Sequence, residues 1–399
     1  MRQIILLSTL LMLAHSAFAL IPSYGKPEIL VRANGHSNYN LPPMTFLSNA
    51  TPAINNKGEV AFKLMAIEGK NTQGLWIKTA NQNAGKIVYQ APEEKLISDP
   101  SLNDLGQAAF SVAEEGASDG IFVYDSKTGS TQHVVTNTNT DLIAHVYPTI
   151  LNNGDIVFRG THKSEDHSYF HFSQKLAALV VEGEDGLGFK PSYLFGPAIN
   201  NQLQLAFKIR VGNKKDWDSQ FPDQIILLNA DGNFRIVACD QKTDPKSPYT
   251  GFLNSVSLSE NGLVAFVAIL ANGKKVLVLD ENGQHSILTG EGHNDIGELE
   301  LFSAKVNSQG VALFRAKSSK GQRGIYLADR TRVVRLLGEN DEIPSDLGKA
   351  RIWSDTVYPA FAGGVNINDK NEITFHTLLV SSDSNQEWGS AIYKLSPLF

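Results

Sequence analysis

PAINNKGEVAF, residues 52–62, reads as the end of one short strand, a tight turn and the start of a second strand. The chain repeats it. PSLNDLGQAAF closes on Phe110, PTILNNGDIVF on Phe158 and PAINNQLQLAF on Phe207, and looser copies close on Phe266, Phe314 and Phe375. The spacings between these phenylalanines are 48, 48, 49, 59, 48 and 61 residues. An internal period of roughly 40–60 residues marks a propeller or a solenoid, and it outranks any local assignment.

The shared pattern is aliphatic-N-x-x-G-x-x-A-F. Its aliphatic position holds Ile54, Leu102, Ile150, Ile199, Leu258, Val306 and Ile367. Asn, Asp and Gly in the turn supply the positive φ that a tight hairpin requires. Gly58 recurs as Gly106, Gly154, Gly262 and Gly310, and Asn371 replaces it in the seventh copy. Asn is the next best residue for that backbone region. Leu203 in the fourth copy departs from the rule, so that turn is expected to differ. The phenylalanine and the aliphatic residue are expected to face each other across paired strands, as core.

Two further strand-like runs follow each hairpin, for example GLWIKTA and GKIVYQ after Phe62, or GIYLADR and TRVVRLLG after Phe314. Four strands per unit is the content of a propeller blade, and no amphipathic helix longer than two turns stands out. The seventh unit stops at Phe399 after its third strand, whereas KPEILVRANG (26–35) precedes the first hairpin and resembles a fourth-strand run. The sequence therefore predicts an all-β fold, a seven-bladed β-propeller with four-stranded blades, its N-terminal strand completing the last blade. Closure also removes exposed sheet edges.

MRQIILLSTLLMLAHSAFA opens with Arg2, an apolar run from Ile4 to Ala14 and a small-x-small site at Ala17–Ala19. This is the pattern of a cleaved secretion signal, and its apolar run is shorter than the roughly twenty residues a spanning helix needs. The expectation is a signal peptide over 1–19 and one propeller domain over 20–399, exported to the periplasm or secreted. No cysteine stands at the cleavage site to carry a lipid. Removing the leader removes Arg2, its one charged residue, and takes the formal charge from -6 to -7. That balance, with no Lys/Arg block, argues against nucleic acid as a partner. The single Cys239 cannot form an internal disulfide, so packing alone must hold the expected monomer. A terminal Phe399 would suit an outer-membrane barrel, but Pro397 and the short strands do not.

The tandem copies of Asn55-x-x-Gly58-x-x-Ala61-Phe62 resemble those of exported bacterial proteins named for NxxGxxAF repeats. GENDEIP (338–344) is similar to the GD-x-x-P element that accompanies the repeat in that family. The resemblance implies a blade signature and carries no activity to any residue.

Candidate functional residues lie in loops that break the period. RGTHKSEDHSYFHFSQKLA (159–177) brings His162, Asp166, His167 and His171 within ten residues, but with no zinc-site spacing. GNKKDWDSQFPD (212–223) carries Trp217, and SSDSNQEWGS (381–390) carries Trp388. An aromatic ring in a polar loop suits sugar or peptide binding. His162, Asp166, His167, Trp217 and Trp388 are the predicted ligand contacts, with no metal and no cofactor. No G-x-S-x-G elbow, P-loop or dinucleotide fingerprint occurs. The sequence thus points to a binding propeller that recognises a protein, peptide or glycan on its loop-rich face. The alternative is a hydrolase or lyase acting on a polysaccharide or phosphoester through acidic residues at the central channel.

Overall fold

The computed structural model describes residues 21–398 except 48, 50, 115–116, 138–140, 213–221 and 355–358. The leader therefore lies outside the described residues, as does Trp217. Seven antiparallel sheets follow one another along the chain. In blade 1 the order from the channel outward is Phe46–Leu47 with Ala53–Ile54, then Val60–Ala66, Gly74–Lys78 and Lys86–Gln90. Blades 2 to 6 repeat this order, and among the described residues there is no α-helix. Blade 7 ends its chain order on Glu387–Leu395, and the N-terminal strand Glu28–Ala33 pairs with that strand as the outermost one. The predicted closure is thus observed. An additional hairpin, Glu342–Ser345 with Gly348–Trp353, extends the inner side of blade 7, and it contains the GENDEIP proline.

The repeat motif explains itself in this frame. All seven motif phenylalanines are 0–3 % exposed. In five blades each sits directly across from an aromatic residue of the third strand: Trp76, Phe122, Phe170, Tyr326 or Tyr393. These rings stack at centroid distances from 4.6 Å for Phe62–Trp76 to 6.0 Å for Phe110–Phe122. Cross-strand aromatic pairs hold register as well as burying area. The aliphatic residue lies opposite the residue two before the phenylalanine, Ile54 against Val60, so the expected direct pairing is shifted by one step on the same face.

The motif asparagine has a task that the hairpin alone does not reveal. Asn103 Oδ1 accepts the Leu105 and Gln107 amides at 3.0 and 2.9 Å, fixing its own turn. Its Nδ2 donates at 2.8 Å to the carbonyl of Leu151, the matching position of the next blade. Asn55, Asn200, Asn307 and Asn368 do the same, the last reaching Asn55 O across the closure at 2.8 Å. The following residues form a second circuit. The backbone amides of Asn56, Asp104, Asn152, Asn201, Ser308 and Asp369 each donate to the matching side chain one blade on. The remaining step, from blade 5 to blade 6, is made by Asn261 Nδ2 to Ser308 O at 2.8 Å. An Asn-x-x-Gly hairpin therefore serves as a staple between blades.

The turn containing Leu203 corrects the expectation. It is the same turn as in the other blades, with Leu203 N bonded to Asn200 O at 3.0 Å, and Leu203 itself takes φ +56°. The strain of a left-handed leucine is about 1–2 kcal/mol. Asn200 capping both Gln202 and Gln204, and the packing of the leucine against the core between blades 3 and 4, offset it.

Candidate functional site: the central channel

The inner strands surround a cavity of about 640 Å³ along the ring axis. Inner strands enter from the face bearing the longer connections and end at the motif turns on the opposite face. At the motif end the lining includes Asp104, Glu260 and Asp369. These carboxylates all accept amides in the interblade circuit. Burial, with Asp369 and Asp104 nearby, outweighs the bonds from Asn201 and pushes the Glu260 carboxyl above its ordinary value.

Farther toward the loop-rich face the inner strands bulge, and there Tyr147 lines the cavity. It is 55 % exposed and takes φ +56°, an uncommon conformation for a bulky residue. Its ring lies beside Gly196 of blade 4, where a Cβ would come within 3.1 Å. The Arg159 guanidinium is 5.3 Å from the Tyr147 centroid and 5.9 Å from that of Tyr193, and it donates to Leu194 O at 2.8 Å. The result is an aromatic face presented to a polar cavity and braced from behind.

Arg159 belongs to a second recurring position, the residue after the motif phenylalanine. Lys208 there is 2 % exposed and satisfies all three protons, on Asp223 (2.8 Å), Phe252 O and Asn254 Oδ1 (both 3.1 Å). Burial lowers the Lys208 ammonium from its ordinary value while Asp223 opposes that shift. Arg315 reaches Phe361 O and Gly363 O of blade 7 and pairs with Glu300 at 2.6 Å. Burial alone would raise the Glu300 carboxyl, but Arg315 and Arg323 beside it bring it below the usual value. The cation after the phenylalanine was visible in the sequence at Lys63, Arg159, Lys208 and Arg315. Its role as a second interblade tie was not.

Lys305 stands apart from these. It lines the same cavity and is half-buried, and no hydrogen bond or ion pair to its ammonium is present among the described residues. Burial lowers its ordinary value, with Asp99 across the channel acting the other way.

The loop residues singled out in the sequence are placed differently from the channel. His162 bonds Asp141 (2.9 Å) and Ser168 (2.9 Å), His167 bonds Glu182 (2.7 Å) and His171 bonds Asp155 (2.9 Å). Three histidines thus go to three different carboxylates along one hairpin of blade 3, and Asp166 accepts Ser164 Oγ at 2.7 Å. Trp388 is half-buried against the core of blade 7, and its carbonyl accepts Arg32 NH1 at 3.0 Å. Among the described residues no three His, Cys, Asp or Glu groups are arranged to hold a metal ion.

The fold and the channel define a closed seven-bladed propeller. The chain belongs to a family of unknown function, DUF7453, which matches residues 30–337. No curated protein matches its sequence. Among solved structures it is similar to the β-propeller domain of the Trilobed protease from Pyrococcus furiosus, described as having an open velcro topology (TM-score 0.55, 14% identity, 86% of this chain and 93% of that one). It is also similar to an oligogalacturonate lyase in complex with manganese (0.56, 10%, 94% and 98%). A third is the oligogalacturonate lyase from Vibrio parahaemolyticus (0.56, 9%, 94% and 98%). At such identities the likeness is one of fold.

Proposed function

We propose that this chain is an exported binding propeller that holds a glycan segment in its central channel, entered from the loop-rich face. The observation that carries the reading is Tyr147. A strained backbone holds a half-exposed ring inside a polar cavity, and strain of this kind is kept where the surroundings enforce it and the exposed group has work to do. A flat apolar face among hydroxyl and amide groups matches the alternating surfaces of a pyranose ring. Neighbouring propellers whose names describe lyases leave room for the hydrolase or lyase reading, and the raised Glu260 carboxyl favours it as a proton donor. Against it, Asp104, Glu260 and Asp369 are engaged as structural acceptors between blades. His162, Asp166, His167 and Trp388 belong in this reading to the rim of the entry face.

The test is a thermal-shift screen of the mature protein against oligosaccharides and peptides, repeated with Tyr147→Ala. A sugar that raises the melting temperature of the wild type and not of the variant supports the reading through linkage. Equal shifts in both proteins refute it.

A further inference from the structure

Lys305 occupies the channel position two residues before the motif asparagine. The other blades present Ala53, Ser101, Thr149, Ala198, Ser257 and Asn366 there, small or neutral groups. One blade of seven thus carries a long cation where the others carry hydroxyls, amides or methyls. The other cations of the inner ring are spent on the protein: Lys208 on Asp223 and two oxygens of blade 5, Arg315 on Glu300 and blade 7, and Arg159 on the Leu194 carbonyl of blade 4. Among the described residues Lys305 has no such partner, and Asp99 is already committed to the Thr51 amide at 3.2 Å and to Lys63 at 3.6 Å. A cation held in a confined space without a partner costs folding free energy, so its retention calls for a counter-charge that arrives from outside. Tyr147 lies in blade 3 and Lys305 in blade 6, on opposite sides of the ring, so a ligand stacked on the tyrosine extends toward the ammonium.

We infer that the channel selects a carboxylate-bearing oligosaccharide, with a sugar ring on Tyr147 and a uronate carboxylate paired to Lys305. This rests on the glycan reading above and sharpens it. The hydroxyl- and amide-rich lining, with Ser101, Thr149, Ser257 and Asn366 at the level of the lysine, offers short donors and acceptors for sugar hydroxyls. Burial, which depresses the lysine, is compensated once a carboxylate lies beside it.

Isothermal titration of the full mature chain with galacturonate, alginate and hyaluronate oligomers, with the same oligomers after reduction of their carboxyl groups, and with poly-glutamate, tests this. Binding of at least one acidic oligomer and loss of binding on carboxyl reduction are expected. Lys305→Met should weaken that binding about 10- to 100-fold, the worth of one charge-assisted contact, and Lys305→Arg should retain most of it. The comparison of native and reduced oligomers uses only the wild-type chain, so it decides the matter even if a variant does not fold. Equal affinity for native and reduced oligomers, abolished by Tyr147→Ala, overturns the inference and leaves the glycan reading standing. Binding of poly-glutamate but of no oligosaccharide overturns the ligand class. Binding of none of these probes overturns both.

Discussion

A buried ion pair joins the closing strand to the extra hairpin of blade 7. Arg32 sits on the N-terminal strand of blade 7 and is 1 % exposed. Its Nε and NH2 meet the two oxygens of Asp346 at 2.7 and 2.8 Å, and its NH1 donates to Trp388 O at 3.0 Å. Asp346 belongs to the turn of the extra hairpin, so the pair clamps the closing strand between that hairpin and the third strand of the blade. Asp346→Ala leaves a buried guanidinium with one carbonyl acceptor, and breaking such a pair from one side costs about 3–5 kcal/mol. An unfolding entropy of about 2.1 cal/mol/K per residue gives ~0.8 kcal/mol/K for about 380 residues, so melting should fall by about 4–6 °C if the ring unfolds as one unit. Urea unfolding of Arg32→Met, Asp346→Leu and the double variant, with hydrogen exchange read on the amides of Glu28–Ala33, separates the pair from its surroundings. The double variant should recover most of the loss, because two apolar groups leave no unpaired charge. A coupling below about 1 kcal/mol, with unchanged exchange in that strand, would refute the clamp.

Other expectations follow from single groups. His376 is 1 % exposed with neither ring nitrogen bonded among the described residues, and burial lowers it to about 4. Its folded value lies below the unfolded one, so its contribution is present above pH ~6.5 and is lost as pH falls through 6.5 toward 4, by about 3 kcal/mol in all; His376→Leu should flatten the urea midpoint between pH 7 and 4. Asn103→Ala removes the acceptor of two amides and the donor to Leu151 O, and should cost about 1–3 kcal/mol in urea unfolding. Gly389 has φ +93° and an added Cβ would fall 2.1 Å from Ala33 O, on the closing strand; Gly389→Ala should cost about 2–4 kcal/mol and raise proteolysis near residue 33. Tyr147→Gly should leave the melting temperature within about 1 °C of wild type, because relief of about 1 kcal/mol of backbone strain is offset by the entropy that a glycine adds to the unfolded chain, while abolishing ligand binding.

Blade number, the four-strand unit and the closing strand were legible in the sequence because each rests on short-range chemistry. An Asn-x-x-Gly turn and a phenylalanine two strands deep must recur wherever a blade is built, and complementary chain ends follow from counting strands. Leu203 was misread because the sequence shows the missing glycine but not the Asn200 caps and the neighbouring blade that hold a leucine at positive φ. The histidines of blade 3 looked like a cluster because they are close in sequence. Pairing in the strands sends each to its own carboxylate, at Asp141, Glu182 and Asp155. Tyr147 and Lys305 carry no sequence signal that links them, being more than 150 residues apart. What makes them one site is closure of the ring, which turns seven inner strand edges toward a common axis and sets residues three blades apart across a single cavity. Local turn chemistry is written residue by residue. The channel exists only after every blade has been placed against the next.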